Sequence, residues 1–294
     1  MIQQNTKTEQ WAIDSYEHWH WVKREDTACT LPGPPSAKMR GLSRHMQMLK
    51  DTGVKTVGYM DTSVSMAGWG ISYFSNLLHM QSVLFYPEYK DGYRQNQAEY
   101  VPRWEEFGAA VCPLPHPTQH QINIHRAQRL FNDNVRNGVW LPNGLIFKET
   151  LDAVEEEAQR TFTENVPGTI VISVGSGVML AGVMRGLLRA NVRVQAIYGI
   201  LVHRDTSAGK KLTDVLNLAR FSGSDTAQLF STLPDVSDVT DELEIIQTDY
   251  MYTQTPTIKC PFPCNPYYDL KAYEWMVQNY ERLPKHIMLW NIGA

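Results

Sequence analysis

No stretch of the 294-residue chain comes near the roughly 20 consecutive apolar residues that a membrane-crossing helix needs, and the opening Met1–Gln10 is polar where a signal segment would be apolar. A cytoplasmic protein without membrane contact is expected. Charge of one sign is also missing: 27 Lys and Arg against 31 Asp and Glu give a formal −4, spread along the chain without a basic block. Nothing in that distribution is suited to neutralising a phosphate backbone, so a direct grip on nucleic acid is not expected. Cysteine is sparse. Cys29, Cys112, Cys260 and Cys264 are too few and too scattered for a disulfide framework in a chain this long, and read as reduced thiols. Around His116, His120 and His125 no cysteine or carboxylate completes a zinc spacing, so no metal site is expected. The chain also lacks an internal repeat, a low-complexity tract, the Gly-Lys-Ser/Thr of a nucleotide-triphosphate loop and the nucleophile elbow of a serine hydrolase.

What is present is the composition of a globular protein, with 43% apolar and 20% charged residues, enough for one large core or two ordinary ones. Val54–Met60, Met66–His79 and Ser82–Tyr86 read as strand, helix, strand. The alternation continues through a helix at Asn96–Phe107, a strand at Ala109–Cys112, and helices at Gln121–Phe131 and Leu151–Glu164. The apolar strand Thr169–Val174 follows, then a helix Leu180–Arg189, a strand Val192–Ile200, helices Leu212–Ala219 and Asp269–Glu281, and a last strand His286–Trp290. Short, continuously apolar strands between helices predict α/β architecture with mostly parallel sheets covered on both faces. Such sheets bind ligands beyond the C-terminal ends of their strands, so the strand-to-helix turns are where chemistry is to be sought. Pro113–Thr118 and Asn137–Asn143 are read as connections between two lobes, a large one over residues 1–52 and 144–294 and a small one over residues 53–143.

Three turns stand out. Val22–Asp26 and the Pro/Gly-rich Leu31–Pro35 lead to Ser36-Ala37-Lys38-Met39-Arg40, which opens a helix. The positive end of the helix dipole disfavours an ammonium on Lys38 and so favours the neutral amine. Read alone, the residue is more ordinarily a solvated helix lysine. Next, Thr169–Val174 runs into Gly175-Ser176-Gly177-Val178-Met179, where glycines let backbone N–H groups turn inward at a helix start and hold a phosphate. The third glycine of a dinucleotide fingerprint is absent, so a phosphate monoester fits better, and a plain tight turn is the other reading. The third turn is Pro266-Tyr267-Tyr268-Asp269-Leu270-Lys271. Its carboxylate either caps a helix or bonds a protonated ring nitrogen.

Taken in order, these segments resemble the fold-type II pyridoxal phosphate (PLP) enzymes of tryptophan synthase beta-like fold. The branch with aminocyclopropane-carboxylate deaminase and D-cysteine desulfhydrase is nearest. That branch reads Lys-Arg-Glu-Asp…Gly-Gly-Asn-Lys-x-Arg, against Lys23–Asp26 and Pro35-Ser36-Ala37-Lys38-Met39-Arg40 here. Its phosphate turn matches Gly175–Gly182, its Pro-x-Tyr-Glu-Gly-Lys-Ala matches Pro266–Ala272, and its closing strand is answered by Ile287–Ala294. The likeness runs from about Lys23 to the end. It implies a three-layer α/β/α protein of two lobes with pyridoxal 5′-phosphate between them, and a homodimer. It also implies that Lys38 is the Schiff-base lysine, that Gly175, Ser176, Gly177, Val178 and Met179 hold the phosphate, that Asp269 is the pyridine partner, and that Tyr268 is a catalytic tyrosine.

One turn departs from the pattern. Where the family has Ser-Asn-Gln to hold the substrate carboxylate, this chain has Asp61-Thr62-Ser63-Val64-Ser65, leaving Ser63 and Ser65 to supply hydroxyls. The resemblance predicts a PLP-dependent lyase or deaminase acting on an amino acid or amino-acid-like substrate through a carbanion at Cα. The altered turn motivates an alternative: a tailoring enzyme that decarboxylates, eliminates from or rearranges an amino acid tethered to a nucleobase or other carrier. A third reading is a PLP-fold binding protein without catalysis.

Overall fold

Thr169–Val174 (β7) is buried at every position, as a central strand covered on both faces must be. It is seen in a computed structural model that describes residues 1–12, 19–62, 64–88, 94–114, 120–204 and 234–294. The chain forms two compact units. One comprises Met1–Thr30, Pro35–Gly41 and Lys148–Ala294; the other comprises Leu31–Pro34 and Leu42–Phe147.

The first unit carries a six-stranded sheet in the order β1-β2-β10-β7-β8-β9. Its strands are β1 (Thr8–Ala12), β2 (Trp19–Arg24), β7, β8 (Val194–Leu201), β9 (Thr240–Ile246) and β10 (Ile287–Asn291). All neighbours run parallel except β1, which lies antiparallel on β2 at one edge. Helix α8 (Asp269–Asn279) sets Ala272, Tyr273 and Met276 against Val171, Ala196, Tyr198 and Leu289. Side chains alternate along a strand, so Trp290 faces the other way. There it meets Phe162 of α5 (Lys148–Glu164), ring centroids 5.7 Å apart. Helix α6 (Val178–Ala190) packs along α5, and helices therefore cover both faces.

The second unit is a four-stranded, all-parallel sheet in the order β5-β4-β3-β6, with β3 (Thr56–Met60), β4 (Gln81–Pro87), β5 (Ala110–Leu114) and β6 (Gly138–Trp140). Ala127 and Phe131 of α4 (His120–Asn134) pack on Met60, Phe85 and Leu114. On the opposite face Tyr86 meets Trp104 of α3 (Arg94–Glu106), and α2 (Ala67–Leu77) packs on β4.

The α/β class and the mostly parallel sheets follow the periodicity of the sequence. Asn137–Asn143, read as a connection, instead contains β6, whose three residues are too few for alternation to register. Strands β1, β2 and β9 also escape the apolar pattern, because aromatic and charged residues fill them: Trp19-His20-Trp21-Val22-Lys23-Arg24 in β2 and Thr240-Asp241-Glu242-Leu243-Glu244 in β9. Helix α1 runs from Met39 to Asp51. The helix expected at Leu212–Ala219 lies outside the described residues. A short helix α7 (Val236–Val239) precedes β9. Among the described residues no helix is long and apolar enough to cross a membrane.

Candidate active site

Lys38 sits immediately before α1, and its position is fixed from two directions. On the upstream side, Ala37 N donates to Ile292 O at 2.9 Å and Ala294 N to Pro35 O at 3.1 Å, while Ser36 bridges Gly293, so the loop is stitched to the C-terminal segment. On the downstream side, Arg40 is clamped in the first turn of α1. Its guanidinium donates twice to Glu25, at 2.6 and 3.0 Å, and once to Gln3 O at 2.7 Å. Planar guanidinium and carboxylate match in that paired geometry, which fixes direction as well as distance. Behind Glu25 lies Glu157 of α5, which accepts from Lys23 at 2.7 Å, from Arg160 at 2.7 Å and from Thr6 N at 2.8 Å. Burial would raise the Glu157 carboxyl, but the cations of Lys23 and Arg40 prevail and hold it at about 2. The sequence pairing of Lys-Arg-Glu-Asp with Lys-x-Arg thus has a physical meaning: it is a buried charge clamp behind the lysine. Gly41 completes it, since a Cβ there would lie 2.2 Å from the Thr150 Cα at the start of α5.

The Lys38 ammonium is pushed down to about 8 by burial. Desolvation does what the sequence reading assigned to the helix dipole. The Lys38 Nζ lies 3.4 Å from Ser176 Oγ, so two of the three turns meet. Gly177 adopts φ 82°, a left-handed conformation that suits glycine, and thereby begins α6. Among the described residues no side chain caps that helix start. Gly175 is exposed, Ser176 half-buried, and Val178 and Met179 are buried with the N-terminal turn of α6.

Asp269, the first residue of α8, joins the third turn to the others. Its fully buried carboxylate accepts from Ser173 Oγ of β7 at 2.7 Å and from Gly293 N at 3.0 Å. Burial raises it to about 7 against those hydrogen bonds. Among the described residues no lysine or arginine pairs with it. The contacts close a ring: Lys38 to Ser176, along β7 to Ser173, across to Asp269, on to Gly293 and back through Ser36. Tyr268 precedes Asp269, and its hydroxyl lies 2.5 Å from that of Tyr252.

Of the remaining expected residues, Ser63 lies outside the described ones. Ser65 belongs to the second unit, where it accepts from Ala67 N at 3.1 Å beside the buried Asp61, whose carboxylate accepts from Thr62 N and Gly68 N. Three contributors were not read from the sequence: Ser173, Gly293 and Tyr252. Ser173 carried a signal, being the one hydroxyl near the end of a strand of aliphatic residues. Tyr252 carried none, since its stretch has no periodicity. Cys260 and Cys264 bring their thiols together at the rim of the core around Phe262, and no cluster of three metal-binding side chains occurs among the described residues.

An amine with a lowered pKa, a glycine turn opening a helix beside it and a buried acid that lacks a cation among the described residues define the class of site that serves a phosphorylated pyridine aldehyde. Comparison with known proteins agrees. The chain is 31% identical over 300 residues to the glycyl-dTMP PLP-dependent decarboxylase of Pseudomonas phage M6, spanning 100% of both chains. It is 26% identical over 186 residues to the L-serine dehydratase/L-threonine deaminase of Bos taurus, covering 60% of this chain and 53% of the bovine one. Among solved structures, an aminocyclopropane-carboxylate (ACC) deaminase homologue superposes with a TM-score of 0.71 at 17% identity, over 99% of this chain and 90% of its own. No family model matches the chain. The chain belongs to the fold-type II PLP-dependent enzymes, in the family of the phage M6 decarboxylase. It is a PLP-dependent enzyme of the lyase and deaminase group, acting on an amino acid or amino-acid-like substrate.

The residues present fit that cofactor. The uncapped start of α6 offers N–H groups and a helix dipole to a phosphate. The buried Asp269 carboxylate offers the counter-charge that a protonated ring nitrogen needs.

Proposed function

We propose that the enzyme decarboxylates an amino acid tethered through its α-carbon to a thymidylate. The full-length likeness to the phage M6 decarboxylase carries this reading. The chemistry narrows the substrate further. PLP-dependent decarboxylation requires a primary amine and a free carboxylate on one carbon. A glycyl unit that keeps both has only its α-carbon left as a point of attachment. The nucleotide then occupies the place of an amino-acid side chain. Carbon dioxide leaves, one proton is taken up at Cα, and the product is an aminoethyl-type amine.

When bound, PLP supplies the electron sink that accepts the pair left on Cα. Lys38 is assigned the covalent link to the cofactor. With its pKa at about 8, roughly a tenth of it is the neutral amine at pH 7. Lys38 would also hold the proton that Cα takes up. Gly175, Ser176, Gly177, Val178 and Met179 are assigned the phosphate, and Asp269 the ring nitrogen, with Ser173 and Gly293 fixing its two oxygens. Tyr268, with its hydroxyl on Tyr252, orients the substrate amine or moves a proton. Ser63 and Ser65 are assigned to the substrate carboxylate. A cytoplasmic homodimer of two-lobed subunits completes the proposal; the resemblance supports it, and light scattering of the purified chain tests it.

The decisive experiment incubates the protein and PLP with a thymidylate bearing an α-linked glycyl group, and separately with free serine, threonine and D-cysteine. Mass spectrometry should show loss of carbon dioxide from the nucleotide. Ammonia or sulfide from the free amino acids, with the nucleotide intact, overturns the tethered-substrate reading and leaves the PLP assignment standing.

A further inference from the structure

Asp61 follows β3 and carries a fully buried carboxylate that ties the turn from β3 to α2 at both ends. One oxygen accepts from Thr62 N at 2.7 Å, and the other from Gly68 N in the first turn of α2 at 2.6 Å. The Ser65 hydroxyl is a third group bonded to it. Ser65 Oγ in turn accepts from Ala67 N at 3.1 Å. The fit is close: a Cβ on Gly68 would lie 2.7 Å from Asp61 Oδ2.

Burial raises this acid to about 7 against those hydrogen bonds, and no charged side chain is among the groups that shift it. From β4 it meets a backbone group, since Asp61 N donates to Phe85 O at 2.9 Å. From α3 it meets the indole ring of Trp104, whose Cε2 lies 2.6 Å from the same Gly68 Cβ position. The ionisable side chains described on the surrounding elements are engaged elsewhere. On α3, Arg103 lies over the Trp69 ring and pairs with Glu106, Tyr100 packs on Trp69, and Glu105 acts on Tyr86 of β4. On α2, Tyr73 meets Phe74 and Phe107; on β3, the Tyr59 hydroxyl donates to Asn143 Oδ1 at 3.3 Å.

A serine hydroxyl has one proton to give and two lone pairs, whereas an ionised carboxylate only accepts. While Asp61 is charged, the single Ser65 proton is therefore spent on it. A protonated Asp61 reverses the bond. It donates to Ser65 Oγ, which still accepts from Ala67 N, and the serine proton turns away from the acid. Ser65 is half-buried where Asp61 is fully buried, so the proton turns toward the accessible side. We infer that Asp61 is a positioning residue whose proton sets the direction of the Ser65 hydroxyl, and with it the grip of this turn on the carboxylate of an amino-acid substrate. The inference rests on the assignment of Ser65 to that carboxylate, and not on the carrier to which the amino acid is attached.

The test uses the PLP-bound, full-length protein and two probes that differ in the carboxylate alone. They are the α-linked glycyl thymidylate and the aminoethyl thymidylate left by decarboxylation, or D-cysteine and cysteamine if free amino acids are the substrate. The KM of the acid is divided by the inhibition constant of the amine, which removes the ionisation of Lys38; the amines of the probes are titrated separately. In the wild type this ratio should rise about tenfold between about pH 7 and pH 8 and be level on either side, the worth of one hydrogen bond to a charged group. D61N, uncharged at every pH, should show the low ratio throughout. S65A should show the high ratio throughout, with KM changed more than kcat, and S65T, which keeps a hydroxyl, should keep the step. A wild-type ratio without the step, a step of equal size in S65A, or a step that survives in D61N overturns the inference; the last would mean that Asp61 serves folding alone. An S65A ratio equal to that of the wild type below pH 7 overturns the Ser65 assignment as well. If D61N does not fold, S65A and S65T decide, and equal behaviour of the two defeats the proposal. Turnover of free amino acids in place of the nucleotide changes the probe pair and none of these expectations.

Discussion

Glu157 and Asp269 are both wholly buried carboxylates of the same unit, and they sit in opposite electrical surroundings. Glu157 lies among Lys23, Arg40 and Arg160 and is held at about 2. Asp269 has hydrogen-bond donors in Ser173 and the backbone of Ile292 and Gly293, no cation among the described residues, and is raised to about 7. The first is a finished arrangement in which charges cancel inside the fold. The second is left one positive charge short, at the end of α8 where the three turns converge. The cationic side shows the same contrast: Lys23 is buried against a carboxylate, whereas Lys271 rests on three backbone carbonyls with no carboxylate among the described residues and falls to about 8. Charge neutrality inside a protein marks support, and a buried imbalance marks a place for a ligand or for chemistry.

The comparison breaks most sharply at Lys38. K38A removes the amine assigned to the cofactor and should lower turnover by roughly 10³-fold or more while the protein still folds. Loss of the visible band of the lysine-linked cofactor, followed by spectrophotometry, checks it; a K38A protein that keeps the band would end the assignment. E157Q acts on the balanced side. It leaves Lys23 and Arg40 with one carboxylate between them, and breaking a buried pair in this way costs about 3–5 kcal/mol. Urea denaturation should show that loss. The fraction still folded should bind PLP with its usual spectrum, because the clamp supports the site without touching the cofactor.

How far the sequence foretold this arrangement depended on the kind of signal. Continuous apolar strands such as Thr169–Val174 announced themselves, because burial on both faces demands aliphatic residues at every position. Lys38, Gly175–Met179 and Asp269 were legible as turns at strand and helix ends. That Lys38 lies beside Ser176 rested on their order and on a resemblance, since residues 138 positions apart carry no local sign of contact. The glycine turn was read correctly as a helix start, but the cause of the lowered lysine pKa was not: burial is a tertiary property, and the dipole was the only local cause in view. Tyr252 and Lys271 stayed hidden for the same reason. A buried ammonium on three carbonyls looks, in sequence, like any helix lysine. The edge strand β9 was hidden by its own glutamates, which point to solvent as edge strands allow.

Asp269 sharpens the comparison with the smallest effect and the most specific signature. D269N should reduce turnover by roughly 10- to 100-fold, the worth of one charged hydrogen bond. Its effect on stability depends on pH in a way that Glu157 cannot imitate. In the cofactor-free protein, Asp269 titrates near 7 when folded and near 3.8 when unfolded. Between those values the folded state binds more protons, so stability from this group is greatest below the unfolded value and is lost as pH rises toward 7. The stability difference between wild type and D269N should therefore fall from about pH 4 to pH 7 and level off above it. Asp61, raised to about 7 by its own burial, has the same slope in both proteins and cancels in the difference. Once PLP is bound, a cationic ring nitrogen keeps Asp269 ionised and the difference should flatten across that range. Thermal melts at half-unit pH steps, with and without cofactor, measure both curves. A cofactor-free difference that is already flat would mean that Asp269 is not the carboxylate left without its cation.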